Sequence, residues 1–412
     1  MKKFLMATVA AGAFVASAGL ALADCGIAKG SVRILSNDFE ALHIVAAGAE
    51  KCASGTVTVT KNQTTEHKNI QIPALTANPA TYTVAVVANN SIVPLLNGGL
   101  IRPLDDLVAK FGQQLNETQL VKIDGKVMAI AFMANTQHMY YRKDLLEQAG
   151  IAPPKTYEEV LEAAKVLRDK GILKNPLALN MKPGWDLAQE FVNMYMGYGG
   201  DLFKAGTAEA SINNENGVKT LEMLKALTGY MSPDYVTYNT NAIKPIWEAG
   251  EIAIINGWGS RAGAYIAADS PVPEIAKATA FASAPMVGGG STPATTLWWD
   301  GFTIAKNISD EDAEASFRAM MNGTAPQTAV DHGSAAVWLI SGYKPTPAAV
   351  GVFETIANKA KPFPMLAHMG LLHTALGDNI SEFLQGKESA EQALADATAA
   401  YTTAAKENGF LK

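Results

Sequence analysis

The chain has 412 residues, 48% of them hydrophobic, and a formal net charge of −6 from 33 Lys and Arg against 39 Asp and Glu. That length is too great for one compact core and points to two domains. An acidic balance without a basic cluster excludes a nucleic-acid partner, whose binding rests on cations facing phosphates, and also excludes attachment to an anionic membrane surface.

Residues 1–23 read as a secretory leader: Lys2 and Lys3 precede an uncharged Ala-rich stretch, and Ala21-Leu22-Ala23 supplies the small-x-small cleavage pattern. Gly, Ser, Thr and Ala dilute that stretch below what a membrane anchor needs. Cys25 raises a lipoprotein as an alternative, but Asp24 stands where lipid-modified cysteines usually follow Gly, Ala or Ser. A soluble periplasmic protein is expected. The two cysteines, Cys25 and Cys52, bracket a strand and a helix, so an oxidising compartment makes a disulfide the expected state over two buried thiols. Closing that loop contributes about 3–4 kcal/mol in the chain-entropy model.

Ser31 to Leu35 predicts a first strand, Phe39 to Cys52 a helix with apolar Leu42, Val45, Ala46 and Ala49, and Thr56 to Thr60 a second strand. Strand, helix and strand in that order are the unit of a parallel doubly wound sheet. Tyr82 to Ala88 reads as a third, doubly buried strand. Asp124-Gly125-Lys126 predicts a turn, Val127 to Phe132 a strand, and His138 to Tyr141 a further strand leading into a helix over Lys143 to Ala149. Thr156 caps a helix running to about Lys170. Strands are expected at Ile252 to Ile255 and Gly301 to Ala305, and helices at Asp310 to Met321, Val350 to Lys361 and Ala390 to Glu407.

Three stretches carry a family likeness. The first runs from Asp124-Gly125-Lys126-Val127 through Tyr140-Tyr141-Arg142-Lys143-Asp144-Leu145 to Ala149-Gly150-Ile151-Ala152-Pro153-Pro154-Lys155-Thr156-Tyr157-Glu158-Glu159. The others are Gly98 to Asp106 and Glu248 to Trp258. Together they resemble the solute-binding proteins that feed ABC importers, in the sugar-binding branch with the maltose and trehalose receptors. Thr83 and Ala131 depart from it, standing where the family often has Asp and Pro. The resemblance implies two doubly wound α/β lobes of the type II periplasmic-binding-protein kind, joined by crossing hinge strands, with the ligand in the interlobe cleft. The expected division is residues 24–133 and 301–345 for lobe 1, and 134–300 and 346–412 for lobe 2. The resemblance also implies an ABC permease as partner, hinge closure over a sugar or derivative, no catalysis, and a monomer.

Strand-to-helix loops are where open α/β sheets hold ligands. Those of the first lobe offer Asn37 and Asp38, then Thr65, Glu66 and His67, then Asn89 and Asn90; each type is also at home as a turn or cap residue. Sugar hydroxyls donate and accept, so Asn, Asp and Glu suit them. Asn135 near the crossing is a further candidate. Trp185 beside Asp186, Trp258 between glycines, and Trp298-Trp299 before Asp300 read as loop tryptophans able to stack on sugar faces. Arg261 is a candidate for an anionic ligand, and His368 lies where the family lines its cleft. The G-x-G-x-x-A match at Gly257 to Ala262 is weak as a dinucleotide site, because Trp258 would crowd the pyrophosphate. A secreted glycoside hydrolase is the enzyme alternative and a non-sugar receptor, such as one for a polyol, the other. No cofactor and no metal site are expected.

Overall fold

The computed structural model describes residues 25–412; the leader and its cleavage point lie outside the described residues. Its strands are β1 (Gly30–Ser36), β2 (Val57–Gln63), β3 (Val84–Ala88), β4 (Leu120–Ile123), β5 (Lys126–Arg142), β6 (Leu177–Ala178), β7 (Ile254–Trp258), β8 (Thr279–Ala282), β9 (Thr296–Ile304), β10 (Val337–Trp338) and β11 (Lys361–Pro362). The helix Glu40–Glu50 joins β1 to β2, which pair in parallel, as the sequence pattern requires. The path through the sheet is β2-β1-β3-β9-β5-β7-β6.

Lobe 1 is organised by β1, β2 and β3, and lobe 2 by β6, β7 and β8. One buried cluster of lobe 1 joins Val32, Ile34, Val84 and Phe132 with Phe302, Phe317 and Trp338, from late in the chain. The main cluster of lobe 2 runs from Met139 through Phe191 and Ile254 to Leu376 and Tyr401. Two strands belong to both lobes. β5 pairs with β9 from Ile130 to Thr136, then with β7 from Gln137 to Tyr141 and β8 from Met139 to Arg142. β9 in turn pairs with β3 at its far end, from Asp300 to Ile304.

This crossing corrects the sequence reading twice. Val127 to Phe132 and His138 to Tyr141 are not separate strands but parts of the single 17-residue β5. The polar residues between them are buried and bonded: Asn135 Nδ2 donates to Ser260 Oγ (3.1 Å) and Thr136 Oγ1 to the Thr296 carbonyl (2.9 Å). β9 also starts at Thr296 and not at Gly301, so Trp298 and Trp299 are strand residues that point to opposite faces. Gly301 lets the two strands close up, since a Cβ there would lie 2.5 Å from the Ile130 carbonyl oxygen. Trp258 ends β7 and does not sit in a loop. The helix expected to reach Lys361 ends at Ala357, where Lys359 turns left-handed (φ 63°) ahead of β11.

Cys25 and Cys52 form a disulfide that ties the segment before β1 to the end of the first helix. Thr83 is buried and takes hydrogen bonds from the Arg33 amide (3.0 Å) and Ser316 Oγ (2.6 Å), so the departure from Asp leaves a satisfied polar strand start.

Candidate functional site

Where β5 and β9 pass between the lobes, three tryptophans gather. Trp185, Trp258 and Trp298 have ring centres 6.1, 6.0 and 5.8 Å apart in the three pairings. Phe363 lies 4.1 Å from Trp298, and His373 5.3 Å from Trp185. Trp185 opens the helix Trp185–Gly197, and its placement depends on two glycines. Gly184 adopts φ 95°, a region that favours glycine, and its amide donates to the Gly377 carbonyl (3.0 Å). A Cβ on Gly377 would lie 2.4 Å from the Gly184 oxygen. The helix Met369–Asn379 therefore presses on the turn before Trp185, and His373, one helical turn ahead of Gly377, meets the indole. Trp258 is held through its carbonyl, which accepts from the Tyr140 hydroxyl.

Lobe 1 contributes a cation. Lys68, on the helix His67–Thr76, places its ammonium 4.4 Å from the centre of the Trp185 ring. Burial draws its pKa down to about 8 against the pull of Asp300 and Asp186. Burial also pushes Asp300 up to about 7, opposed by Lys68, and Asp186 up to about 6, opposed by Lys182 and Lys68. His373 is kept neutral, lowered to about 3 by burial and by the Lys68 charge. Among the buried polar atoms without a hydrogen-bond partner in the described residues are Trp185 Nε1, a donor, and Asn90 Oδ1, an acceptor just past the end of β3. The arrangement offers flat apolar faces beside an ammonium donor and two carboxyl acceptors, a combination suited to a ligand rich in both C–H and O–H groups.

Of the residues expected from sequence, Trp185, Asp186, Trp258, Trp298 and Asp300 are brought together here. Asn89 is at the crossing but committed to it, accepting from the Trp299 amide (2.8 Å). Trp299 packs instead into a lobe 1 cluster with Ala74, Leu75 and Ile92. Asn135 is spent on Ser260. Asn37 caps its own turn by accepting from the Asp38 amide (2.8 Å), and exposed Asp38 pairs with His43 (2.6 Å). Thr65 and Glu66 are exposed, Glu66 accepting from Asn69 (2.8 Å). His67 is buried within lobe 1 and held near a pKa of about 4. Arg261 lies 5.5 Å over the Phe39 ring, forming a second contact between lobes. His368 stands away from the tryptophans, edge-on to Phe203 at 4.4 Å, beside a hollow of about 700 Å³ lined also by Met196 from the far end of the Trp185 helix.

Lys68, Phe363, His373 and Glu190 were not anticipated. Lys68 follows directly on the polar run after β2, and the first turn of a helix faces the strand end it leaves, so that position carried a usable signal. His373 lies among Leu371, Leu372 and Leu376 in a core-patterned helix and had none.

Comparison with known proteins places the chain. Residues 49–344 match the family model described as bacterial extracellular solute-binding protein. The chain belongs to that family. The family's members are binding proteins of transporters. A probable ABC transporter-binding protein of Deinococcus radiodurans is 28% identical over 191 residues, 45% of this chain and 44% of that one. An sn-glycerol-3-phosphate-binding periplasmic protein of Agrobacterium fabrum is 29% identical over 117 residues, covering 26% and 27% of the two chains. The chain thus spans less than half the length of these curated relatives. Among solved structures, the maltose-bound T. maritima protein superimposes with a TM-score of 0.76 at 19% identity, covering 91% of this chain and 99% of that one, which establishes a shared fold. Among the described residues no group of three or more His, Cys, Asp and Glu side chains is placed to hold a metal, and no helix is long and apolar enough to cross a membrane.

Proposed function

We propose that this protein is the periplasmic receptor of an ABC importer, capturing a neutral sugar or polyol between its lobes and handing it to a membrane permease. The observation that carries the reading is the triad Trp185, Trp258 and Trp298 facing Lys68, Asp186 and Asp300 where the lobes meet. In this reading the indoles stack on the C–H faces of the ligand. Asp186, Asp300 and Asn90 accept hydroxyl protons, and Lys68 and Trp185 Nε1 donate. The lobes are residues 24–133 with 301–345, and 134–300 with 346–412, and they close about β5 and β9 as the ligand shifts the population toward the joined form.

Two relatives bracket the ligand chemistry: the T. maritima protein holds maltose and the Agrobacterium fabrum protein is named for sn-glycerol-3-phosphate. Asp186 and Asp300 oppose a phosphate wherever they are ionised, against the pull of Lys68 and Lys182. No step of catalysis is assigned to the site, and the protein acts as a monomer.

Thermal unfolding of the ligand-free protein against maltose, other sugars, polyols and sn-glycerol-3-phosphate tests the proposal. A ligand at 100 times its Kd adds about 2.7 kcal/mol of stability. A sugar or polyol that does so, and stops doing so in Trp258→Ala, is the expected result. Stabilisation by the phosphate alone overturns the ligand class, and stabilisation that fades as reducing sugar accumulates overturns the receptor in favour of a hydrolase.

A further inference from the structure

We propose that Glu190 is the positioning residue of this site: it ends a one-way chain of buried hydrogen bonds beneath the tryptophans and thereby fixes His373 with its proton on Nε2. The chain can be followed atom by atom. His373 Nε2 lies 3.4 Å from Gln189 Oε1. Gln189 Nε2 donates to Asn193 Oδ1 (2.7 Å) and to Thr296 Oγ1 (3.0 Å). Thr296 Oγ1 accepts from Trp298 Nε1 (2.9 Å) and donates to Asn193 Oδ1 (2.9 Å). Asn193 Nδ2 donates to Gln137 Oε1, and Gln137 Nε2 donates to Glu190 Oε1 (3.0 Å). The same carboxyl oxygen accepts from Asn180, through its side-chain amide (3.2 Å) and its backbone N–H (3.4 Å).

Every link points the same way, donor toward Glu190. A side-chain amide presents its oxygen on one side and its N–H groups on the other, so turning one amide over forces its neighbours to follow. Within this chain only the carboxyl lacks an obligatory donor, and it receives three. With the amides so oriented, Gln189 shows its oxygen to His373, which must donate from Nε2. The neutral ring is left with Nδ1 as a lone-pair acceptor. Glu190, Gln137, Gln189, Asn193 and Thr296 are each no more than 1% exposed, so water does not compete for these bonds. Trp298 hangs from the same chain by its indole N–H, so one residue sets both an aromatic wall and the hydrogen-bonding sense of the imidazole beside Trp185.

The inference rests on the ligand reading only for what the floor is for; the arrangement itself is measured without ligand. Protein labelled with 15N at histidine gives long-range proton–nitrogen spectra in which the six histidines are told apart and His373 is assigned with His373→Gln. The expected result is the Nε2–H tautomer in the unmodified protein. Glu190→Met, similar in length but without an acceptor, is expected to populate the Nδ1–H tautomer and move the Trp298 indole resonance. Glu190→Gln keeps one acceptor oxygen and is expected to restore both. A wild-type His373 protonated at Nδ1 overturns the proposal whether or not the variants fold. So does a folded Glu190→Met protein with tautomer and indole resonance unchanged, since a purely structural role would lower stability and leave both signals in place. A sugar panel without a hit, by contrast, would count against the ligand reading and leave the tautomer assignment standing.

Discussion

Lobe 2 meets the site with rings resting on a buried polar layer, Trp185, Trp258 and Trp298 above Gln189, Asn193 and Thr296. Lobe 1 meets it with a side chain at a helix start, Lys68 over an indole, while elsewhere on that lobe Asp38 stands in solvent beside His43. A rigid, bonded floor loses little freedom when a ligand arrives, whereas a long flexible side chain such as that of Lys68 has more to give up. Under the proposed ligand reading, the difference gives recognition of shape chiefly to lobe 2 and a mobile cation to lobe 1.

Substitutions on the two sides should therefore differ in kind. The largest effect is expected from Trp298→Ala, which removes a ring that is 6% exposed and packed on Phe363 and Trp185; urea unfolding should show a loss of about 3–5 kcal/mol. Next comes Asp300→Asn. Because burial raises the folded pKa of Asp300 to about 7, the native carboxyl binds a proton that the unfolded chain has released, and that group's contribution to stability falls as pH climbs from about 4 to 7. The asparagine variant has no such penalty. It should match the wild type near pH 4 and exceed it by about 1–2 kcal/mol above pH 7, less than full linkage because the Asp300 residue is only partly buried. Lys68→Met should change stability by about 0.5–1 kcal/mol, the scale of a cation–π contact. It should also push Asp300 and Asp186 further up, visible as a rise in their titration midpoints by carbonyl NMR. The smallest effect is expected from Asp38→Asn, under about 0.5 kcal/mol in unfolding, since an exposed ion pair is worth little. A Trp298→Ala protein of unchanged stability, or an Asp38→Asn protein that unfolds readily, would erase the distinction between the two sides.

Much of this molecule could be read in its residues. The β1–helix–β2 unit, the Thr156 cap, whose Oγ1 accepts from the Glu159 amide (3.2 Å), and the helix Ala390–Glu407 follow local patterns that tertiary packing did not override. The continuity of β5 was not legible, because Asn135 and Thr136 look like a break until their partners Ser260 and Thr296 are known, and those come from far along the chain. The site divides the same way. Tryptophans next to glycine or aspartate announce themselves, and of Trp185, Trp258, Trp298 and Trp299 all but Trp299 do meet. Asn37, Asp38, Thr65 and Glu66 have the right chemistry at the right strand ends, yet their side chains close local turns or face solvent. Glu190 was invisible for the opposite reason: an acid in the middle of an apolar and amide-bearing helix has meaning only once Gln137, from β5, lies against it.

The two strands shared by the lobes also fix an order of manufacture. The lobe 1 core takes Phe302, Phe317, Met320 and Trp338 from sequence that emerges after β6, β7 and β8 have already been made. Until β9 arrives, β3 has an open edge where Val84 to Ala88 will later pair, and β5 lacks its neighbour from Ile130 to Thr136. The first half of the chain to be synthesised thus cannot finish folding until β9 and the segments after it are made, and its open edges must be kept from pairing with other chains meanwhile; lobe 2 waits longer still, for Leu376 and Tyr401. A fragment that stops short of Thr296 is expected to stay unfolded however intact its own sequence, and the two lobes can be inherited, exported or engineered only together.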